Sequence, residues 1–599
     1  MHPLPLRPLP VLLAATLLGA AQPVLAQEPE PSAATTEMPA TLTDDGPLPT
    51  DLPIQAEPAA ATPSANVTVN LISRLVQKGI LSQAEATELI RQAEQDAAIA
   101  SAQAEAAAAA VPPAPAEGEE RVTYVPQVVR NNIRDEIKQE LMAQAQKEGW
   151  GKDDVPEWTH TFRPFGDFRV RYEGIYFGDT NDNTGSFPNF NAINTGSPFD
   201  VSGTVFSPQY NVDQDRNRAR LRARAGTEIM LGDGFNGGVR LATGDSNSPT
   251  SPNQTLGGNG GNFSKYAIWL DRAFLSYDAG PGDGEELVFL IGRFDNPFFS
   301  SEIQWDDDLG FDGLAVRGKV RVNDAVSTFF TAGYFPVYNT DFNFSSNRPD
   351  KFESTDKWLT GAQLGFEWKV NEDLTVKAGL AYYDFNAIEG ELSDPFVPLT
   401  SSDSGNTDST RPLFAQRGNT YMALRDIVPT AANDFGTKYQ YQYYGLASKF
   451  RNLTATGRVD YDAYDPYRLS FVGEATKNLG YDEGNIAAKA VNNLNGSGEF
   501  EGGDTAFNLA FIFGNPALQQ FGDWQAGFGY RYVESDAVVD GFTDSDFGGG
   551  GTNVQGFSLG GNLAVSKAVR FGLRWMSSDE IAGPPLSTDT FQLDLNAKF

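Results

Sequence analysis

The chain has 599 residues, 40% of them hydrophobic, and a formal net charge of −33. That balance excludes a nucleic-acid partner, which needs a basic face. The absence of cysteine excludes disulfides, thiolate metal sites and cysteine nucleophiles together, and the two histidines, His2 and His160, leave little for acid–base catalysis.

Residues 1–26 read as a secretory signal. Arg7 supplies the positive start, Val11 to Ala21 the apolar core, and Val24-Leu25-Ala26 a small-residue cleavage site. Residues 27–65 are rich in Pro, Ala, Thr and acids, too poor in apolar periodicity to bury a core, and read as a disordered linker. Residues 66–157 read as a helical, coiled-coil periplasmic region. Leu71, Leu75 and Val76 fall at helical spacing, and Ser82 with Glu85 opens a second helix as a capping box. A third helix carries Val129, Ile133, Ile137 and Leu141. Stripes this narrow suit a helical hairpin or an oligomeric coiled coil.

Over residues 158–599 the period becomes 2. Sixteen segments alternate in this way, including 356–371, 372–386, 438–464, 553–566, 567–579 and 588–599. Ala362, Leu364, Phe366, Trp368 and Val370 share a face opposite Gln363, Glu367 and Lys369. Val569, Phe571, Leu573 and Trp575 alternate with Arg570 and Arg574. Successive side chains of a strand lie on opposite faces, so each segment is a strand with one apolar and one polar side. Connections alternate between long ones, such as 178–213, 295–310 and 386–437, and short ones, such as Gly232-Asp233-Gly234 and Asn323-Asp324. The final segment, with Phe591, Leu593, Leu595 and Phe599 on one face, runs to the last residue and leaves no tail to cover its edge. Closure into a barrel removes such edges. The fold expected is an all-β, antiparallel transmembrane barrel of about 16 strands, apolar outward and polar inward, with long external loops and short turns. A soluble sandwich or propeller calls for a fixed internal repeat, and the sequence shows none.

The second strand reads DRNRARLRARAG, so Arg216, Arg218, Arg220, Arg222 and Arg224 share one face. A charge on the lipid side costs about 2–4 kcal/mol at the midplane, and this row therefore belongs inside. Arg169 and Arg171 on strand 1, and Arg317, Lys319 and Arg321 on strand 6, extend it into a basic ladder lining a water-filled interior. The lesser alternative is that the arginines pair with nearby carboxylates and only solvate or brace the wall. The third long connection carries Glu302, Asp306, Asp307, Asp308 and Asp312 among Phe298, Phe299 and Trp305. Folded inward, it would pack its aromatics on the wall and set its acids across the pore from the ladder as a constriction loop, selecting by charge as rings of charged side chains do. The carboxylate run lacks the spaced pattern of a calcium loop, and no metal or cofactor is expected. Acidic outer loops at 178–213 and 537–552, with no base, suit solvated loops or divalent-cation bridging to surface lipopolysaccharide.

Several stretches resemble a family of bacterial outer-membrane porins. NLISRLVQKGILSQAEATELIRQAE looks like that family's opening segment. WLDRAFLSY (269–277), GRFDNPF (292–298) and WDDDLGFDGLAV (305–316) look like its barrel landmarks, and LDLNAKF is similar to the C-terminal signal read by barrel-assembly machinery. The resemblance covers nearly the whole chain. It implies an outer-membrane location, passive diffusion of small hydrophilic solutes or ions and a homotrimer, and it transfers no catalytic residue. A membrane-barrel enzyme would need a positioned imidazole, and His160 precedes the first strand, so no enzyme is expected. The alternative is a structural protein that ties outer membrane to cell wall through the helical region.

Overall fold

The computed structural model describes residues 161–599, except 204, 245–247, 259, 281, 283, 284, 342, 344–348 and 350. The expected signal peptide, linker, helical region and both histidines lie outside the described residues.

Sixteen strands make the barrel. They are β1 Phe162–Phe177, β2 Arg216–Gly232, β3 Phe235–Ala242, β4 Trp269–Asp278, β5 Glu286–Asp295 and β6 Gly310–Arg321. β7 Val326–Tyr338, β8 Lys357–Lys369, β9 Leu374–Asn386, β10 Arg451–Tyr464 and β11 Tyr467–Asn478 follow. β12 Thr505–Gly514, β13 Trp524–Val533, β14 Val554–Ala564, β15 Val569–Glu580 and β16 Ser587–Lys598 complete the ring. Each pairs antiparallel with its sequence neighbours, and β1 pairs with both β2 and β16. A two-residue strand, Gln254–Thr255, adds itself beside β2. The last residue is therefore no free edge. Phe599 exchanges two backbone hydrogen bonds with Gly166, at 3.0 and 3.1 Å, and its ring lies 5.7 Å from that of Phe168. Gly166 has no alternative here, since a Cβ would run into the Phe599 ring and the Arg224 carbonyl.

The outward faces are the expected ones. Leu364, Phe366 and Trp368 are exposed, as are Phe571 and Leu573, whereas Gln363 and Met576 on the opposite faces are buried. At one end of the barrel the turns are tight for chemical reasons. Asp233 sits at φ 52° between two glycines of positive φ, the conformation Asn, Asp and Gly tolerate. Asn323 and Asn371 each accept two backbone N–H groups of their turns through the side-chain oxygen, at 2.8–2.9 Å.

At the other end lie eight connections: L1 178–215, L2 243–268, L3 296–309, L4 339–356, L5 387–450, L6 479–504, L7 534–553 and L8 581–586. The alternation of long and short fails at L8, which is shorter than the turn at 515–523 on the opposite end. The segment expected as one strand over 438–464 is a strand only from Arg451. Residues 438–450 belong to L5, which carries the short strands Tyr421–Ala423, Tyr441–Gln442 and Tyr444–Leu446. The inner face also departs from uniform polarity. Phe294, Phe311, Phe335, Leu359, Tyr383 and Phe385 are buried on it in one cluster with Phe298 and Trp305 of L3 and Tyr421 and Leu424 of L5. These apolar side chains are inside because two loops dock against them. Burial of this kind gives about 25 cal/mol per Å² of apolar surface removed from water.

Candidate functional site

The β1–β2 register builds the basic wall. Asp167 stands opposite Arg224, Arg169 opposite Arg222, Arg171 opposite Arg220 and Glu173 opposite Arg218. Two carboxylates thus bracket the arginines. Asp167 accepts from Arg222 at 2.8 Å and Arg224 at 2.7 Å. Glu173 pairs with Arg218, and with Arg220 at 3.4 Å. Arg171 turns to β16 and L7, with 2.7 Å contacts to Asp594 and Asp546. Arg169 donates to Asn253 of L2. Arg216, at the loop end of β2, and Arg317 on β6 are exposed. Lys319 reaches Glu367 on β8 at 3.4 Å, and Arg321 lies at the turn end of the same row.

L3 runs inside the ring, as its contacts require. Gln363 of β8 accepts the Phe299 N–H at 2.8 Å and donates to the Phe299 carbonyl at 2.7 Å. The Ser301 N–H donates to Glu474 of β11 at 2.7 Å, and Asn508 of β12 donates to the Ser301 hydroxyl at 3.1 Å. Glu302 lies 3.3 Å from Arg531 on β13 and 3.6 Å from Arg574 on β15. The loop then returns. Asp308 pairs with Arg222 at 3.3 Å and Arg224 at 3.0 Å on β2, and Arg272 of β4 donates to the carbonyls of Asp308 and Leu309. A segment leaving β5 and touching β13 has crossed to the far side of the ring, so L3 spans the interior.

The acids of this stretch take separate places. Asp308 is bonded to the arginine row instead of facing it across open space. Asp306 is buried and accepts the backbone N–H of Ser545 in L7 at 3.0 Å and that of Asp308 at 2.7 Å. Asp307 is exposed. Asp312 is not in the loop at all but in β6, paired with Arg293 at 2.7 Å. L7 supplies carboxylates that the sequence reading left in an outer loop: Asp544 sits 2.9 Å from Arg531, and Asp546 binds Arg171. The result is an acidic ridge of L3 and L7 held between two basic walls, β1–β2 on one side and Arg531 and Arg574 on the other. The crowding shows in proton affinities. The Asp544 carboxylate, then burial, pushes Glu302 up to about 7. Burial first, with Asp544 and Asp308, pushes Asp306 up to about 9. Burial alone would also raise Asp546, but the Arg171 and Arg574 guanidiniums hold it well below the usual carboxylate range.

Sequence reasoning missed Arg240, Arg272, Arg531, Asp544 and Asp546. Arg240 and Arg272 share the Asp271 and Asp295 carboxylates at 2.5–3.0 Å. Alternation does put Arg574 on a polar face but names no partner across the barrel. Of the expected assembly signal, Leu593, Leu595 and Phe599 are exposed on the outer face, and Phe591 lies on the same face, half-buried.

A model of the family described as "Putative porin" matches residues 65–599. No curated protein matches the chain. Among solved structures, Pseudomonas putida OprB at high pH is 12% identical with a TM-score of 0.39, covering 74% of this chain and 95% of that one. The Acinetobacter baumannii outer-membrane channel DcaP is 12% identical with a TM-score of 0.33, covering 73% of this chain and 97% of that one. Salmonella typhi OmpF, in complex with daunomycin, is 11% identical with a TM-score of 0.33, covering 73% and 97% respectively.

Proposed function

The chain belongs to the Putative porin family, and on that premise we propose that it is an outer-membrane channel passing small hydrophilic solutes or ions by passive diffusion. The observation that carries this reading is L3, which crosses the interior and bonds to both walls, from Gln363 and Glu474 to Arg222 and Arg224. A loop in that position divides the lumen and sets what passes. Among its acids the exposed Asp307 is the one a passing ion meets, while Asp308 and Asp306 serve mainly to hold the ridge. Arg216, at the loop end of β2, and Arg317 on β6 offer positive charge to solvent.

The supporting parts of the reading are proposals in the same sense. Residues 1–26 act as the export signal, 27–65 as a linker and 66–157 as a periplasmic helical region. The family match begins at residue 65, where the low-complexity stretch ends. The exposed face of Phe591, Leu593, Leu595 and Phe599 suits recognition by barrel-assembly machinery, and three copies would assemble. Planar-bilayer recording of the pure, folded protein tests the central claim. Discrete channel openings are expected, and a bilayer that stays silent would end it.

A further inference from the structure

A cavity of about 660 Å³ opens between the β3–β8 wall and the docked loops, lined by Lys357, Arg411, Trp305, Phe335, Leu359 and Phe542 among others. Its carboxylates are all engaged. Asp271 pairs with Arg240 and Arg272, Asp308 with Arg222 and Arg224, and Asp312 with Arg293. Asp540 accepts from the Tyr421 hydroxyl at 2.9 Å. The two cations at the other side are in the opposite condition. Lys357 is 2% exposed, and its ammonium donates to the carbonyls of Thr410 at 2.6 Å and Arg411 at 3.1 Å. An ammonium has three donors, and no described protein atom accepts the third. Arg411 donates to the carbonyls of Asn194 at 2.9 Å and Asp408 at 2.6 Å, with its plane 4.3 Å from the Tyr443 ring centroid. Neither cation has a carboxylate partner among the described residues.

Burying a charge that no counter-charge meets is costly. Lys357 is buried in that state and the half-exposed Arg411 lies beside it, so with the aromatic and aliphatic walls they form a site that an anion would complete. We propose that this cavity binds small organic monoanions, a carboxylate meeting Lys357 and Arg411 while an apolar or aromatic body rests on Phe335, Leu359 and Phe542. This deepens the channel reading by naming the solute class, and rests on it only for the statement that such anions are what the channel carries.

The test uses the full chain folded in detergent, with benzoate as probe and benzyl alcohol as its uncharged counterpart. Calorimetric titration should show benzoate binding and benzyl alcohol binding at least about tenfold more weakly, the scale of a lost charged hydrogen bond. Lys357→Gln and Arg411→Gln should each weaken benzoate by about that factor, and Lys357→Arg should restore most of it. Equal binding of the two probes, no benzoate binding, or Gln variants that bind as the native chain does would each overturn the proposal. If a Gln variant does not fold, the comparison of probes on the native chain still decides. Benzoate binding without channel openings would sink the channel reading alone, and openings without benzoate binding would sink this one alone.

Discussion

At the scale of single residues, charge is placed by pairing more than by net count. Asp308 bridges Arg222 and Arg224, which also share Asp167. Asp308→Asn should leave those guanidiniums half-neutralised, cost about 1–3 kcal/mol of stability, and move the reversal potential under a salt gradient toward anions. An unchanged reversal potential would mean that this pair does not border the ion path. Asp306 gives a second prediction. Its carboxyl faces Asp308 and Glu302 in L3 and Asp544 in L7, and it is pushed from the usual 3.8 up to about 9. A raised carboxylate favours the folded state only while protonated, so its contribution is full below about pH 4 and is lost as pH rises toward 9. The unfolding midpoint should fall as pH rises from about 4 to about 9, and Asp306→Asn should flatten that fall. The arginine row was legible residue by residue because a row of like charges on one face of a strand has one affordable side. Its partners were legible only in part: the L3 acids were expected across the pore from the row, but not that Asp308 bonds to it directly, nor that Asp546 of L7 reaches Arg171, because no period of two reaches across a lumen.

At the scale of elements, strands were legible and loops were not. The 16 strands follow from alternation and from turns such as Asn371, whose side chain caps the next residues. L5 was misread because its apolar residues, Tyr421, Leu424, Tyr443 and Leu446, follow no single period and become a core only with Phe335 and Trp305 supplied from elsewhere. L3 depends on similar long-range help. Gln363 holds it by both ends of one amide, and Gln363→Ala should leave a buried N–H and a carbonyl without partners, costing about 1–3 kcal/mol. Single-channel recordings should show noisier open currents. Quiet openings equal to those of the native chain would argue that the other anchors, Glu474 and Asn508, suffice.

At the scale of the whole molecule, the barrel is a ring closed by its first and last strands. Gly166→Val should push the Phe599 ring away and part β1 from β16, lowering the yield of folded barrel as read by band shift on unheated gels. A normal yield would show that the remaining register from Phe168↔Ala597 to Phe177↔Thr588 closes the ring unaided. That register joins segments more than four hundred positions apart, and it has a consequence for how the molecule comes into being. No early portion can finish by itself: until β16 is delivered, β1 and the newest strand both present unpaired backbone to the surroundings. Anything that binds the leading strand on its open side during synthesis would hold that place for residue 599, and its release would time the sealing of the wall.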